Sequence, residues 1–172
     1  MPPDEPLMIG RKESEIRAVP WVFAMSLLAA CGAPEGPEDA VTALFEALRA
    51  GDGAGVVARM SSAAVAEMGD ELEALKADPE ASAAGLATIG VPIDASELPG
   101  MTAEEFAEAI FSSRVVTDIV ASGEVTTGNV VVEGDVATVE VTTAVGGRTE
   151  THEIEVVRED GVWKVTDFGM GF

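Results

Sequence analysis

The sequence predicts an α+β domain: amino-terminal helices packed on a four-stranded antiparallel meander. Three observations predict it. Apolar residues recur at helical spacing between residues 38 and 121. From Glu124 onward the period falls to two, as in Val139, Val141, Thr143 and Val145 alternating with Thr138, Glu140, Thr142 and Ala144. Gly146-Gly147 and Asp160-Gly161 then punctuate the alternation as two-residue hairpin turns. The chain has 172 residues, enough for one domain and a short appendage at roughly 100–200 residues per domain.

The elements follow in order. Val41, Leu44, Phe45 and Leu48 form one helical stripe over residues 38–50, with Pro37 placed for a start and Gly51 for a stop. A short segment at 54–60 offers Val56, Val57 and Met60. Ser61 or Ser62 is placed to cap a helix carrying Val65, Met68, Leu72 and Leu75, which Asp78-Pro79 ends. Residues 79–101 contain Pro79, Pro92 and Pro99 and read as an irregular excursion, with the character of a lid. Thr102 and Glu105 make a capping box for one helix reaching Ala121, with Phe106, Ile110, Val116 and Ile119 inward.

The hairpin turns fix the register of the strands. Val139 then faces Ile154, Val141 faces His152, Val156 faces Val165, and Ile154 faces Asp167. One face is rich in Val, Ile and Trp. The other carries Thr138, Glu140, Thr142, Thr151, Glu153, Glu155 and Lys164 and is expected to be wet. Val136, Val157, Val162 and Phe168 fall on that outward face and would suit a homodimer contact.

Charge excludes one class of partner. Asp and Glu number 31 against 10 Lys and Arg, a net charge of −21, so nucleic acid is not expected to bind. One cysteine allows no internal disulfide. No metal-ligand spacing occurs, and no cofactor is implied. The clusters Glu67, Asp70, Glu71, Glu73 and Glu104, Glu105, Glu108 read as solvated helix faces, without the alternation of a calcium loop.

The amino terminus reads as an address. Residues 18–30 hold no charge, too short a run to span a bilayer but suited to the apolar core of a secretory signal. Three bases, Arg11, Lys12 and Arg17, precede it, and a start at Met8 would leave them facing only Glu13 and Glu15. The run ends in Leu28-Ala29-Ala30-Cys31-Gly32, which resembles the lipobox of bacterial lipoproteins. The resemblance implies that residues 1–30 are a signal peptide, that Cys31 is the lipidated first residue, and that the protein is exported and held to the cell envelope. Gly32 resembles the pattern sent to the outer membrane of a diderm. Residues 31–37 would be the acylated head and a Pro- and Gly-rich tether, and 38–172 the domain.

Helices followed by a meander closing in Gly161-Val162-Trp163-Lys164-Val165 are similar to the nuclear transport factor 2-like superfamily, as is the Ala50-Gly51-Asp52 that ends the first helix. The resemblance implies a cone in which a curved sheet wraps a long helix. It includes both enzymes and binding modules, so the fold alone decides no activity. The enzymes of that superfamily use Tyr, His and Asp, and this chain has no Tyr. His152 and Asp167, diagonal neighbours on the inward face, are the candidate catalytic pair of a small isomerase or hydro-lyase. Thr143 and Trp163 join them as candidate pocket residues. The reading favoured over the enzyme is a membrane-anchored module without catalysis, which binds an envelope protein partner or a small apolar ligand.

Overall fold

The computed structural model describes residues 36–167. The expected signal peptide, Cys31, the tether as far as residue 35, and Phe168 lie outside the described residues. Helices come first and an open four-stranded antiparallel sheet follows, so the α+β expectation is met.

Helix α1 (Pro37–Ala50) starts where Pro37 and two acids occupy its first turn. The Gly36 N–H donates to the Asp39 carboxylate at 3.1 Å. The helix ends because Gly51 adopts φ 65°, the left-handed conformation in which its N–H reaches the Leu48 carbonyl. Its stripe is buried as expected: Val41, Leu44, Phe45 and Leu48 lie at 0–3% exposure against the sheet. Full burial of such a side chain stabilises by about 1.5–3 kcal/mol. Helix α2 (Gly53–Val57) is one short turn, with the Asp52 side chain accepting from the Gly55 N–H. Gly53 sits so close to the Glu108 carbonyl that a methyl group there would overlap it.

Of the two serines, Ser61 caps α3 (Ser62–Leu75), its hydroxyl accepting from the Ala64 N–H at 3.1 Å. Leu72 is buried, and Val65, Met68 and Leu75 are half-buried.

Two expectations for the middle of the chain are corrected. Residues 79–101 are not an irregular excursion throughout: Pro79–Thr88 forms a helix, α4, and Leu98–Gly100 a 3-10 turn. Asp78-Pro79 does stop α3, but it also starts α4. Asp78 accepts from the Ala81 N–H, and Pro79 takes the first helical position, where its missing N–H costs nothing. Nor does the segment hang free as a lid. Leu86, Val91, Ile93 and Leu98 pack with Leu72 and Phe106 in a second hydrophobic cluster.

The expected helix 102–121 is two: α5 (Ala103–Phe111) and α6 (Arg114–Ala121). The break comes where Ser112 ends α5 and the Ser113 hydroxyl accepts from the Val116 N–H, capping α6. The new axis leaves Val120 buried and turns Ile119 outward at 61% exposure, against the inward placement expected for it. Thr102 and Glu105 do form the capping box: the Glu105 N–H donates to the Thr102 hydroxyl, and the Thr102 N–H to the Glu105 carboxylate.

The strands are β1 (Gly123–Glu133), β2 (Val136–Val145), β3 (Arg148–Glu159) and β4 (Val162–Val165), each paired with the next. The register is the one the turns dictate: Val139 opposes Ile154, Val141 opposes His152, and Val156 opposes Val165. Gly146 and Gly147 both take positive φ, as do Asp160 and Gly161, which is what a two-residue turn between right-twisted strands requires. β1 carries a bulge between Thr127 and Val130.

The two edges of the sheet differ. β4 is covered, because the Ser61 N–H donates to the Val165 carbonyl and the Val165 N–H to the Arg59 carbonyl, both at 2.8 Å. Lys164 Nζ adds a bond to the Ala58 carbonyl, and the Glu159 carboxylate accepts from the Ser62 N–H. β1 is the opposite edge, and among the described residues its only strand partner is β2.

Candidate functional site

The turn at Gly146-Gly147 brings Thr143, Val145, Arg148 and Glu150 around an open recess of about 560 Å³. Thr143 and Glu150 oppose one another in the β2–β3 ladder, and His152 follows two residues later on the same face, opposite Val141. The register therefore places the candidates Thr143 and His152 on the same face near the turn.

His152 is half-buried, with 34% of its side chain exposed. Its Nε2 lies 3.6 Å from the Glu150 carboxylate, a separation for charge attraction when the ring is protonated and too long for a hydrogen bond. Residues i and i+2 of a strand share a face, so a Glu two positions before a His was a readable signal that the expectation of an Asp167 partner passed over.

Asp167 sits elsewhere than the extended ladder would have it. β4 ends at Val165, and the N–H groups of Thr166 and Asp167 both point at the Glu155 carbonyl, at 2.9 and 3.5 Å. Two donors converging on one acceptor end the ladder, and Asp167 leaves it exposed. Trp163 is 3% exposed and belongs to the main core, with the Arg158 guanidinium 4.5 Å above its ring. That contact is a cation–π lid over the end of the core, so the indole is spent on packing.

The face between these groups is filled. Val139, Val141, Ile154, Val156 and Val165 are all at 0–1% exposure beneath α1. A second recess, of about 540 Å³, lies apart from them beside Ser96, Gly100, Met101 and Glu105. The arrangement at the rim can attract charge through Arg148, Glu150 and His152, and the Thr143 hydroxyl donates to the Glu150 carbonyl at 3.5 Å. The recess is open to solvent.

On the outward face, Val136 opposes Val157, and Val157 opposes Lys164. Val136 is exposed at 40%, while Val157 and Val162 are half-buried. The acidic helix residues Glu67, Asp70, Glu71, Glu104 and Glu108 are exposed, as solvated faces should be. Among the described residues no group of His, Cys, Asp and Glu is arranged to hold a metal ion, and no helix is long and apolar enough to cross a membrane. No family model, curated protein or solved structure matches the chain.

Proposed function

We propose that the chain is an exported lipoprotein, acylated at Cys31, whose folded part is a nuclear transport factor 2-like domain that docks an envelope protein without catalysing a reaction. The observation that carries the docking role is the packed interior. The sheet face beneath α1 is occupied by Val139, Val141, Ile154, Val156 and Trp163, and this supports recognition at the outer surface over a chamber for a small apolar ligand. The polar candidates Thr143 and His152 stand at the rim, where a protein surface reaches them. The address is supported by the uncharged run 18–30 ending in Leu28-Ala29-Ala30-Cys31, and the high negative charge suits a domain kept off anionic lipid by its tether.

Cys31→Ser tests the address. The parent protein is expected in the membrane fraction with its amino terminus at an acylated Cys31, and the variant unacylated and shed from that fraction. Identical fractionation of the two, or a free thiol at Cys31 on a chain that keeps residues 1–30, would sink the reading.

A further inference from the structure

The sheet protects one edge and leaves the other open, and the open edge is charged for a particular visitor. β4 has its outer backbone closed by Arg59 to Ser61. β1 runs for 11 residues, and among the described residues its only strand partner is β2, with the Arg49 side chain donating to the Gly123 carbonyl at its start. Folded proteins usually guard such an edge with Lys, Pro or a covering segment, because its unpaired N–H and C=O groups are a template for another strand. β1 contains neither Lys nor Pro, and its residues from Thr126 to Asn129 are all exposed. Its pairing with β2 departs from regular register at the bulge at Gly128-Asn129.

At that bulge the edge is also acidic. Gly128 has no side chain, and the Glu140 carboxylate of β2 leans into the space, so that a Cβ on Gly128 would stand 2.7 Å from Glu140 Oε1. Glu140 directly opposes Glu153 on the outward face. Like charges opposite one another destabilise a sheet, and a cation placed beside them relieves the repulsion. The glycine gap gives a long basic side chain on an added strand a route across β1 to Glu140.

We infer that β1 is a strand-addition site for an extended, basic segment of the partner protein, which pairs its backbone with β1 and sets a Lys or Arg over Gly128 against Glu140. The inference rests on the docking role proposed above and names the chemistry of the partner. A second copy of this chain is the poorer occupant. The β1 strands of two copies would bring two Glu140/Glu153 pairs together, and β1 has no base to offer them.

The test uses the full chain and an end-capped peptide of alternating Lys and Thr, with a Glu–Thr peptide as control. The Lys–Thr peptide is expected to slow amide hydrogen exchange in residues 124–132 by about tenfold, and the Glu–Thr peptide to leave it unchanged. Glu140→Gln and Gly128→Ala should each weaken the Lys–Thr peptide about threefold, with the exchange of the unliganded sheet no faster in Glu140→Gln. Three results would overturn the inference. One is no slowing in β1. Another is equal slowing by both peptides. The third is slowing that grows with protein concentration in the absence of peptide, which would assign the edge to a second copy. Because no membrane enters this experiment, its failure alongside normal fractionation of the Cys31→Ser pair would remove the strand-addition site and leave the address standing.

Discussion

The two hydrophobic clusters of the domain are encoded in opposite ways. The larger joins α1 to the sheet, and both partners keep a strict period: 3.6 along Val41, Leu44, Phe45 and Leu48, two along Val139 and Val141 or Ile154 and Val156. The smaller collects Leu72, Leu86, Val91, Ile93, Leu98 and Phe106 from several segments, and α4 contributes a single buried residue, Leu86. Met68 and Ile110 pack against both. The difference teaches that a periodic core locks its elements all at once, whereas a core gathered one residue at a time depends on the local devices that hold each segment in place. The first should unfold as a whole and the second should open regionally.

The largest expected effect breaks the periodic core. Leu44 is wholly buried between α1 and the sheet, and Leu44→Ala should cost about 2–5 kcal/mol of global stability. Urea unfolding should show a lower midpoint at unchanged slope, reported alike by helix and sheet probes. A loss confined to α1 would contradict the description of one locked core.

Leu98→Ala poses the same question to the gathered core. Leu98 is equally buried, so the chemistry removed is the same. Amides between residues 79 and 106 should lose about 2–3 kcal/mol of protection, while sheet amides around Val139 and Ile154 keep theirs within about 0.5 kcal/mol. If every amide fell together, Met68 and Ile110 would be fusing the two clusters into one cooperative unit.

The same contrast explains what the sequence disclosed. The pairings of β2 with β3 and of β3 with β4 as far as Val165 were legible to the residue, because Gly146-Gly147 and Asp160-Gly161 set the register and a slip of one would have exposed every buried valine, whereas the bulge in β1 was not. Thr143, His152 and the burial side of Trp163 followed from that register. Asp167 did not, since its place depends on how β4 ends, and that is decided by Thr166 and Asp167 sharing the Glu155 carbonyl. The break between α5 and α6 was hidden because Ser112 and Ser113 interrupt no apolar pattern, yet a serine hydroxyl competes for backbone bonds and caps a new helix. Helix α4 was hidden for a simpler reason. Ala81, Ala83, Ala84 and Ala87 form helix readily but make no stripe, so propensity carried the structure where periodicity was silent.

Helix α4 therefore offers the smallest and most local prediction. A helix of 10 residues with one buried anchor is marginal by itself, and isolated helices shorter than about 12–15 residues rarely persist in water. Its start is fixed by two residues: Asp78, which accepts from the Ala81 N–H at 3.2 Å, and Pro79, already at helical φ. Asp78→Ala removes the acceptor and should cost about 1 kcal/mol, and Asp78→Asn should keep most of it, because the bond needs an oxygen and not a charge. The loss should appear as faster amide exchange from Ala83 to Thr88, with α1 and the sheet unmoved. Were Asp78→Asn as damaging as Asp78→Ala, the carboxylate would be acting through its charge on the helix terminus, and the second cluster would be held by electrostatics where the first is held by packing.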